Sequence, residues 1–308
     1  METYHQKKLN IETYHQQDHL EVFGHPVKTF PQGIGDAFGA LMKMIPDGNK
    51  RSYYGLSKMD TGGNVLYLAA AEEKFPGEAE KYGCKRYSIP KGDYLAVTVH
   101  DWRTRTDCIK DVFHEMMQDQ RSDNSKLCVE WYYSDNEMLC MLPADPVKEL
   151  FMAIDGVAAE LMELISPLGE KQINTIPFKD SWTAAQLATH VTKSNNGIIQ
   201  AMDMDGKLVQ RDPAGRVKEL KKIFLDFNHK LKSPEFIVPK PDVYEKEKLV
   251  AALKRSNDQL KEKREQVNLS AVIEFSAFGQ ITRLELLHFV LYHTQRHIHQ
   301  LKNILKHI

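Results

Sequence analysis

Three histidines offer the most specific chemistry in this chain. His293 and His297 stand four apart in Tyr292-His-Thr-Gln-Arg-His297; on a helix, that spacing puts both imidazoles on one side, a turn apart, where both reach one ion. They border a stripe of Leu284, Leu287, Leu291, Ile298, Leu301 and Leu305 at helical spacing, the face such a helix buries. His288 and His299 point to the other flank. His190 lies beside Leu187, Val191 and Ile198 on an earlier amphipathic segment and can also look inward. Three neutral imidazoles around an ion leave a position for water or a substrate atom, the donor set of an open zinc, nickel or iron site. The bland alternative has weight, because an isolated HxxxH is more often a pair of surface or hydrogen-bonded histidines.

A second candidate is Glu130 in Leu127-Cys-Val-Glu-Trp-Tyr132. On a strand it alternates with Val129 and Trp131, so if those pack beneath helices, Glu130 and Tyr132 face the other way, outward from the sheet. The same parity sends Leu95, Val97 and Val99 inward, gives Tyr94 and His100 the face of Glu130, and lets Tyr53 join them opposite Leu56. A carboxylate among aromatic rings can hold an organic cation through charge and ring faces together. The competing reading is a solvated strand face with tyrosines at its rim.

The elements that must position these groups fall into two halves. Phe23 to Phe30 reads as a strand, Gly35 to Met44 as a helix, and Ser52 to Ser57 with Val65 to Ala71 as a hairpin. The order then repeats: strand Tyr94 to His100, helix Asp107 to Met117, and hairpin strands Val129 to Tyr133 and Met138 to Leu142 around Asp135-Asn136. Between the copies, Glu72 to Pro90 carries charges, two prolines and two glycines, which predicts a long surface connection. After Pro143 and Pro146 only helical periodicity follows, so the boundary falls near residue 145, between domains 1–145 and 146–308. Helices are predicted over Val147 to Ile165, Ala184 to Met202, Ala214 to Leu231, Tyr244 to Val267 and Ile281 to His307, with Ser233 to Pro241 as a loop. Four of them suffice for a bundle. Thr183 and Gln186 form a capping box at the start of the second, and Trp182 and Leu187 occupy hydrophobic-staple positions. The fold class is therefore two-domain: an N-terminal α+β unit with a duplicated strand-helix-hairpin, and a C-terminal all-α unit.

At 308 residues, 42% hydrophobic and 27% charged, the chain has the composition of an ordinary folded protein of about two domains. Its 41 basic and 42 acidic side chains create no field for a polyanion, so direct nucleic-acid binding is not expected. The lysine runs in Arg216 to Lys222 and Lys246 to Arg264 are interleaved with acids, as on solvated helices. Charged residues replace the apolar core of a signal peptide in the first eight positions, and no stretch approaches a membrane span of ~20 apolar residues; a cytoplasmic location without membrane association is expected. Cys84, Cys108, Cys128 and Cys140 are too few and too irregular for a disulfide framework or metal knuckle and read as free thiols.

The stretch Ser181-Trp-Thr-Ala-Ala-Gln-Leu-Ala-Thr-His190, with His293-Thr-Gln-Arg-His297 and the trailing Gln300, resembles the DinB family over about residues 146 to 308. That resemblance implies a four-helix bundle holding a divalent metal, zinc first with nickel or iron as alternatives, on His190, His293 and His297. The Pro-rich Ser233 to Pro241 segment departs from the family pattern. Thiol-dependent transferases and isomerases among the family imply a small thiol or other nucleophile as the reacting partner. The repeat, Ile89-Pro-Lys-Gly-Asp-Tyr94 and Val129-Glu-Trp-Tyr132 resemble the GyrI-like, AraC-type effector-binding domain over about residues 10 to 145. This second resemblance implies a cleft between the repeats that binds small cationic or aromatic compounds at Glu130, and a catalytic role for that glutamate where relatives hydrolyse electrophiles.

Two functions compete. One is a metal-dependent transferase or hydrolase whose N-terminal cleft binds substrate or effector, through Glu130, Tyr53, Tyr94, Tyr132 and His100. The other is a non-enzymatic sensor of cationic or aromatic molecules that regulates transcription through a partner, without a DNA-binding domain of its own. A protein-interaction module is a weaker third. The sequence leaves a homodimer open.

Overall fold

The computed structural model describes residues 9–308. The charged octapeptide at the N-terminus lies outside the described residues. Two compact units divide between Glu149 and Leu150.

The first unit is built on an eight-stranded antiparallel sheet. Its strands are β1 (Glu12–Gln16), β2 (Leu20–Pro26), β3 (Tyr53–Met59), β4 (Val65–Glu72), β5 (Lys85–Ile89), β6 (Gly92–His100), β7 (Cys128–Tyr132) and β8 (Glu137–Pro143), in the spatial order β1-β6-β8-β7-β3-β4-β2-β5. Helix α1 (Ile34–Met44) follows β2, the short α2 (Glu78–Lys81) follows β4, and α3 (Ile109–Gln118) follows β6. The strand-helix-hairpin repeat is therefore present as β2-α1-β3-β4 and β6-α3-β7-β8. What the sequence reading missed is an extra strand before each copy, paired with the other copy: β1 runs antiparallel to β6 and β5 to β2. The predicted surface connection accordingly contains α2 and β5, which are short and polar outward and so carry little hydrophobic periodicity. The two copies meet at the β3–β7 pair, where Gly55 stands opposite Glu130.

Leu95, Val97 and Val99 point inward as expected, but the faces of β7 are opposite to the expectation. Leu95, Val97, Val99, Cys140 and Leu142 pack against Val112, Phe113 and Met116 of α3. In register, Val97 pairs with Cys140 and Cys140 with Glu130, so Glu130 and Tyr132 share the helix-covered face. Val129 and Tyr94 lie in the cluster on the other face, with Trp131 packed against it. Both faces bury apolar side chains, so alternation alone could not say which one the helices cover. All four cysteines are free thiols, with Cys128 and Cys140 buried.

The second unit contains α4 (Pro146–Ile165), whose first turn precedes the division, then α5 (Glu170–Ile173), α6 (Ala184–Met202), α7 (Val217–Phe224), α8 (Lys246–Gln266) and α9 (Arg283–Ile304). The all-α expectation needs correction, because β9 (Val272–Phe275) and β10 (Gly279–Thr282) form an antiparallel hairpin immediately before α9. Two strands of four residues are too short for a period-two signal. Helix α7 is also shorter than predicted, ending at Phe224 rather than Leu231.

Capping fixes the registers that matter. Thr183 accepts a hydrogen bond from the Gln186 amide while Gln186 Oε1 accepts from the Thr183 amide, closing the predicted capping box of α6. Thr282 and Glu285 do the same for α9, and the fully buried Glu285 carboxylate is held bidentately by Arg211 at 2.7 Å. Helix α6 packs against α8 and α9, and α7 against α9. Helix α4 is tied to α8 by Asn257 donating to Asp155 (2.8 Å) and to α9 by Lys302–Glu160 (2.6 Å). Helix α9 is buried on more than the leucine stripe: Leu286, Phe289, Val290 and Tyr292 are covered too.

Candidate metal centre and carboxylate site

Helix α6 contributes His190 and α9 contributes His293 and His297, all three buried. One ligand nitrogen from each lies within 4.8 Å of the others. His293 Nε2 is 3.2 Å from His190 Nε2 and 3.1 Å from His297 Nε2. A tetrahedral ion with nitrogen bonds near 2.05 Å separates its ligand nitrogens by about 3.3 Å, so the donor set fits a small divalent ion without rearrangement of the helices.

Neighbouring groups aim two of the rings. His190 Nδ1 lies 3.1 Å from the Ile237 carbonyl and His297 Nδ1 lies 2.8 Å from Gln300 Oε1. With both acceptors on the Nδ1 side, those nitrogens carry the proton and the Nε2 lone pairs point at the shared centre. His293 Nδ1 is buried without a partner among the described residues; its ring is held by stacking on Phe289, centroids 4.9 Å apart. Trp182 leans on His190 at 4.9 Å, so the tryptophan at the entrance of α6 braces a candidate ligand. Burial pushes all three imidazoles down: His190 below its ordinary value, His293 well below, and His297 to about 3. The neutral form, which ligation requires, is thus the resting state.

The three histidines line a cavity of about 1410 Å³ whose wall also includes Phe224, Phe236, Phe278 and Phe289. His299 stacks on Phe227 at 4.2 Å and lines the same space, but it takes no part in the three-nitrogen cluster, nor does His288.

In the first unit, Glu130 is 6% exposed. Tyr67 donates its hydroxyl to Glu130 Oε2 at 2.5 Å, and the Tyr132 hydroxyl donates to the same oxygen. Burial raises the Glu130 carboxyl above its ordinary value, against the pull of the two phenols. Trp102 and Phe38 pack on Tyr132, with centroids 4.7 and 5.3 Å apart, and Phe30 packs on Tyr67 at 5.5 Å.

Of the residues expected around Glu130, Tyr132 touches it. Tyr53 shares its face but donates to the Gly48 carbonyl at 2.7 Å. Tyr94 is on the opposite face, bonded to the Pro90 carbonyl, and His100 is exposed beside Glu137 at 2.9 Å. The missed members are Tyr67 and Gly55. A Cβ on Gly55 would lie 1.9 Å from the Tyr67 hydroxyl and 2.7 Å from Glu130 Oε2. The absent side chain is what lets a phenol from β4 reach a carboxylate on β7 across β3. A glycine inside a strand was the available signal.

Residues 153–301 match the family model of the DinB superfamily, so the resemblance drawn from the histidine motifs holds for that segment. No curated protein matches the chain. Among solved structures, the integron cassette protein VCH_CASS2 from the mobile metagenome of Vibrio cholerae is 16% identical, with 45% of this chain and 97% of that chain covered and a TM-score of 0.34. SAV2435, solved with tetraphenylphosphonium, is 12% identical (46% and 97% covered, TM-score 0.35). TT2238, described as a four-helix bundle protein, is 15% identical (50% and 97% covered, TM-score 0.33). No helix among the described residues is long and apolar enough to cross a membrane.

Proposed function

We propose that the second unit is a DinB-like four-helix bundle of α4, α6, α8 and α9 that holds a divalent ion, zinc first, on His190, His293 and His297. In this reading it serves a transferase or hydrolase acting on a small thiol or electrophile. The observation that carries it is the convergence of three buried, neutral imidazoles on one point in the wall of a large cavity. A sealed structural site would have no such space beside it. A bound ion would supply Lewis acidity and lower the pKa of a coordinated water or thiol.

The chain's own residues set up that chemistry. Ile237 and Gln300 fix the tautomers of His190 and His297. Trp182 and Phe289 hold the ring planes. The phenylalanine wall receives the apolar part of a substrate and excludes water around the reacting atoms. Metal analysis by plasma mass spectrometry on untagged protein, beside His190→Ala and His293→Ala/His297→Ala, tests the reading. About one equivalent in the wild type and none in either variant supports it; no retained metal after reloading and dialysis overturns it. A screen of thiol acceptors and esters with the loaded protein then tests for turnover.

The buried Glu130 carboxylate favours a second role for the first, GyrI-like unit: recognition of an organic cation by charge and aromatic rings, as substrate or effector. Were the metal structural, the protein would be a sensor acting through a partner. A thermal-shift panel of lipophilic cations on wild type and Glu130→Gln tests this. Stabilisation confined to the wild type is expected; equal shifts in both proteins would reject Glu130 as the cation site.

A further inference from the structure

We infer that the cavity beside the three histidines takes an anionic, aromatic or otherwise apolar small molecule; this deepens the proposed function, since it rests on that cavity being the substrate site. Over the whole chain basic and acidic side chains balance, 41 against 42. The cavity wall departs sharply from that balance: it carries Arg216, Lys230, Lys232, Arg296, Lys302 and Lys306, and of carboxylates only Asp180. Two of the six are neutralised outside the wall, Arg216 by Glu219 at 3.1 Å and Lys302 by Glu160 at 2.6 Å. Lys230, Lys232 and Lys306 are exposed, and among the described residues neither they nor Arg296 makes a direct ion pair with a carboxylate.

Arg296 makes the point most strongly. It is 4% exposed, sits next to His297 in sequence, and donates to three backbone carbonyls, those of Phe224, Asp226 and His229, while the Asp226 carboxylate acts on it only through space and does not outweigh its burial. A buried guanidinium bonded only to neutral acceptors keeps most of its desolvation cost. An anion entering the cavity would offset it, and the focused field of one sign would raise the local concentration of such ligands. The apolar portion has its own surface in Phe224, Phe236, Phe278 and Phe289. Neutral amphiphiles would use that surface without the charge term, and cations would meet repulsion. The charge of the wall thus complements the first unit, where Glu130 suits the opposite sign.

The probes are anilinonaphthalene sulfonate and its uncharged analogue N-phenyl-naphthylamine, titrated by fluorescence into the full-length protein. Wild type should bind the sulfonate at least about tenfold more tightly than the neutral amine, with the preference shrinking as ionic strength rises from about 0.05 to about 0.5 M. The exposed-site variant Lys230→Glu/Lys232→Glu/Lys306→Glu should lose about tenfold or more for the sulfonate while binding the amine unchanged. Circular dichroism and metal content are measured on the same samples. Equal affinity for the two probes, binding of neither, or a sulfonate affinity indifferent to the triple reversal would overturn the inference. Retained metal with no charge discrimination rejects the anion preference alone, whereas discrimination without metal rejects only the metal reading.

Discussion

His190 and His293 are 103 positions apart in the chain, yet their Nε2 atoms approach to 3.2 Å with neither ring's Nε2 facing a carboxylate. Two neutral imidazoles presenting lone pairs to each other at that distance repel unless a proton or a cation lies between them. His293, whose Nδ1 has no partner among the described residues, can carry its single proton on Nε2 and donate it to a neighbouring ring; in the proposed metal-bound form the cation would take that place for all three rings. The outer partners then matter. Gln300→Ala removes the acceptor that orients His297 and should weaken metal binding by about 10- to 100-fold while leaving the stoichiometry intact. Competition with a chromogenic chelator measures it. His190 differs, because its acceptor is the Ile237 backbone carbonyl, so no side-chain deletion at 237 should have a comparable effect.

The same burial sets a pH dependence for the metal-free protein. The folded His297 holds off protonation until about pH 3, and His293 and His190 are also depressed from the ordinary 6.5. Between 6.5 and about 3 the unfolded chain takes up protons on these side chains that the folded chain refuses. Stability is therefore complete above pH 6.5 and declines as pH falls through that window. Replacing the pair, His293→Gln/His297→Gln, should flatten the decline. Denaturant midpoints of both proteins at pH 7.5 and pH 5 check it, and parallel losses would exclude the histidines as its source.

Glu130 carries the reverse sign. Its folded pKa lies above the ordinary 4.5, so the folded state keeps a proton that the unfolded chain releases, and its contribution is lost as pH rises through that interval. Glu130→Gln cannot titrate. The variant should therefore gain stability relative to wild type between pH 4.5 and pH 8, a trend readable by thermal denaturation; a constant difference across that range would mean the carboxylate is solvated.

How much of this was legible depends on which physical signal each element leaves. The α6 start, with Thr183 and Gln186 capping it, and the HxxxH of α9 are local patterns, and the three ligand candidates needed only helix periodicity to find. The β9–β10 hairpin, the shortened α7 and the strand β5 are short and half-exposed, so they leave no periodic trace. The Glu130 site failed differently. Its members on β3, β4 and β7 come together through register, and because both faces of the sheet are buried, the parity of Val129 and Trp131 could not decide which face the helices cover. Glu130 and Tyr132 were assigned to the wrong side for that reason, which joined them falsely to Tyr94 and His100; Tyr67 was invisible because the expected β3–β4 hairpin had not been paired with β7.

Gly55 supplies the sharpest test of that geometry. It stands opposite Glu130 on the neighbouring strand, and a methyl group there would meet the Tyr67 hydroxyl at 1.9 Å and the carboxylate at 2.7 Å. Gly55→Ala should therefore destabilise the first unit by about 1–3 kcal/mol, the usual cost of overpacking, although alanine suits a strand better than glycine in itself. The phenol is the nearest obstacle, so Tyr67→Phe should recover part of the loss. In a double-mutant cycle Gly55→Ala/Tyr67→Phe should cost less than the two single changes together, by about 0.5 kcal/mol or more, whereas residues without contact add within that margin. Strict additivity in urea denaturation would show that Tyr67 does not reach over Gly55 to Glu130, and would remove the phenol from the carboxylate site.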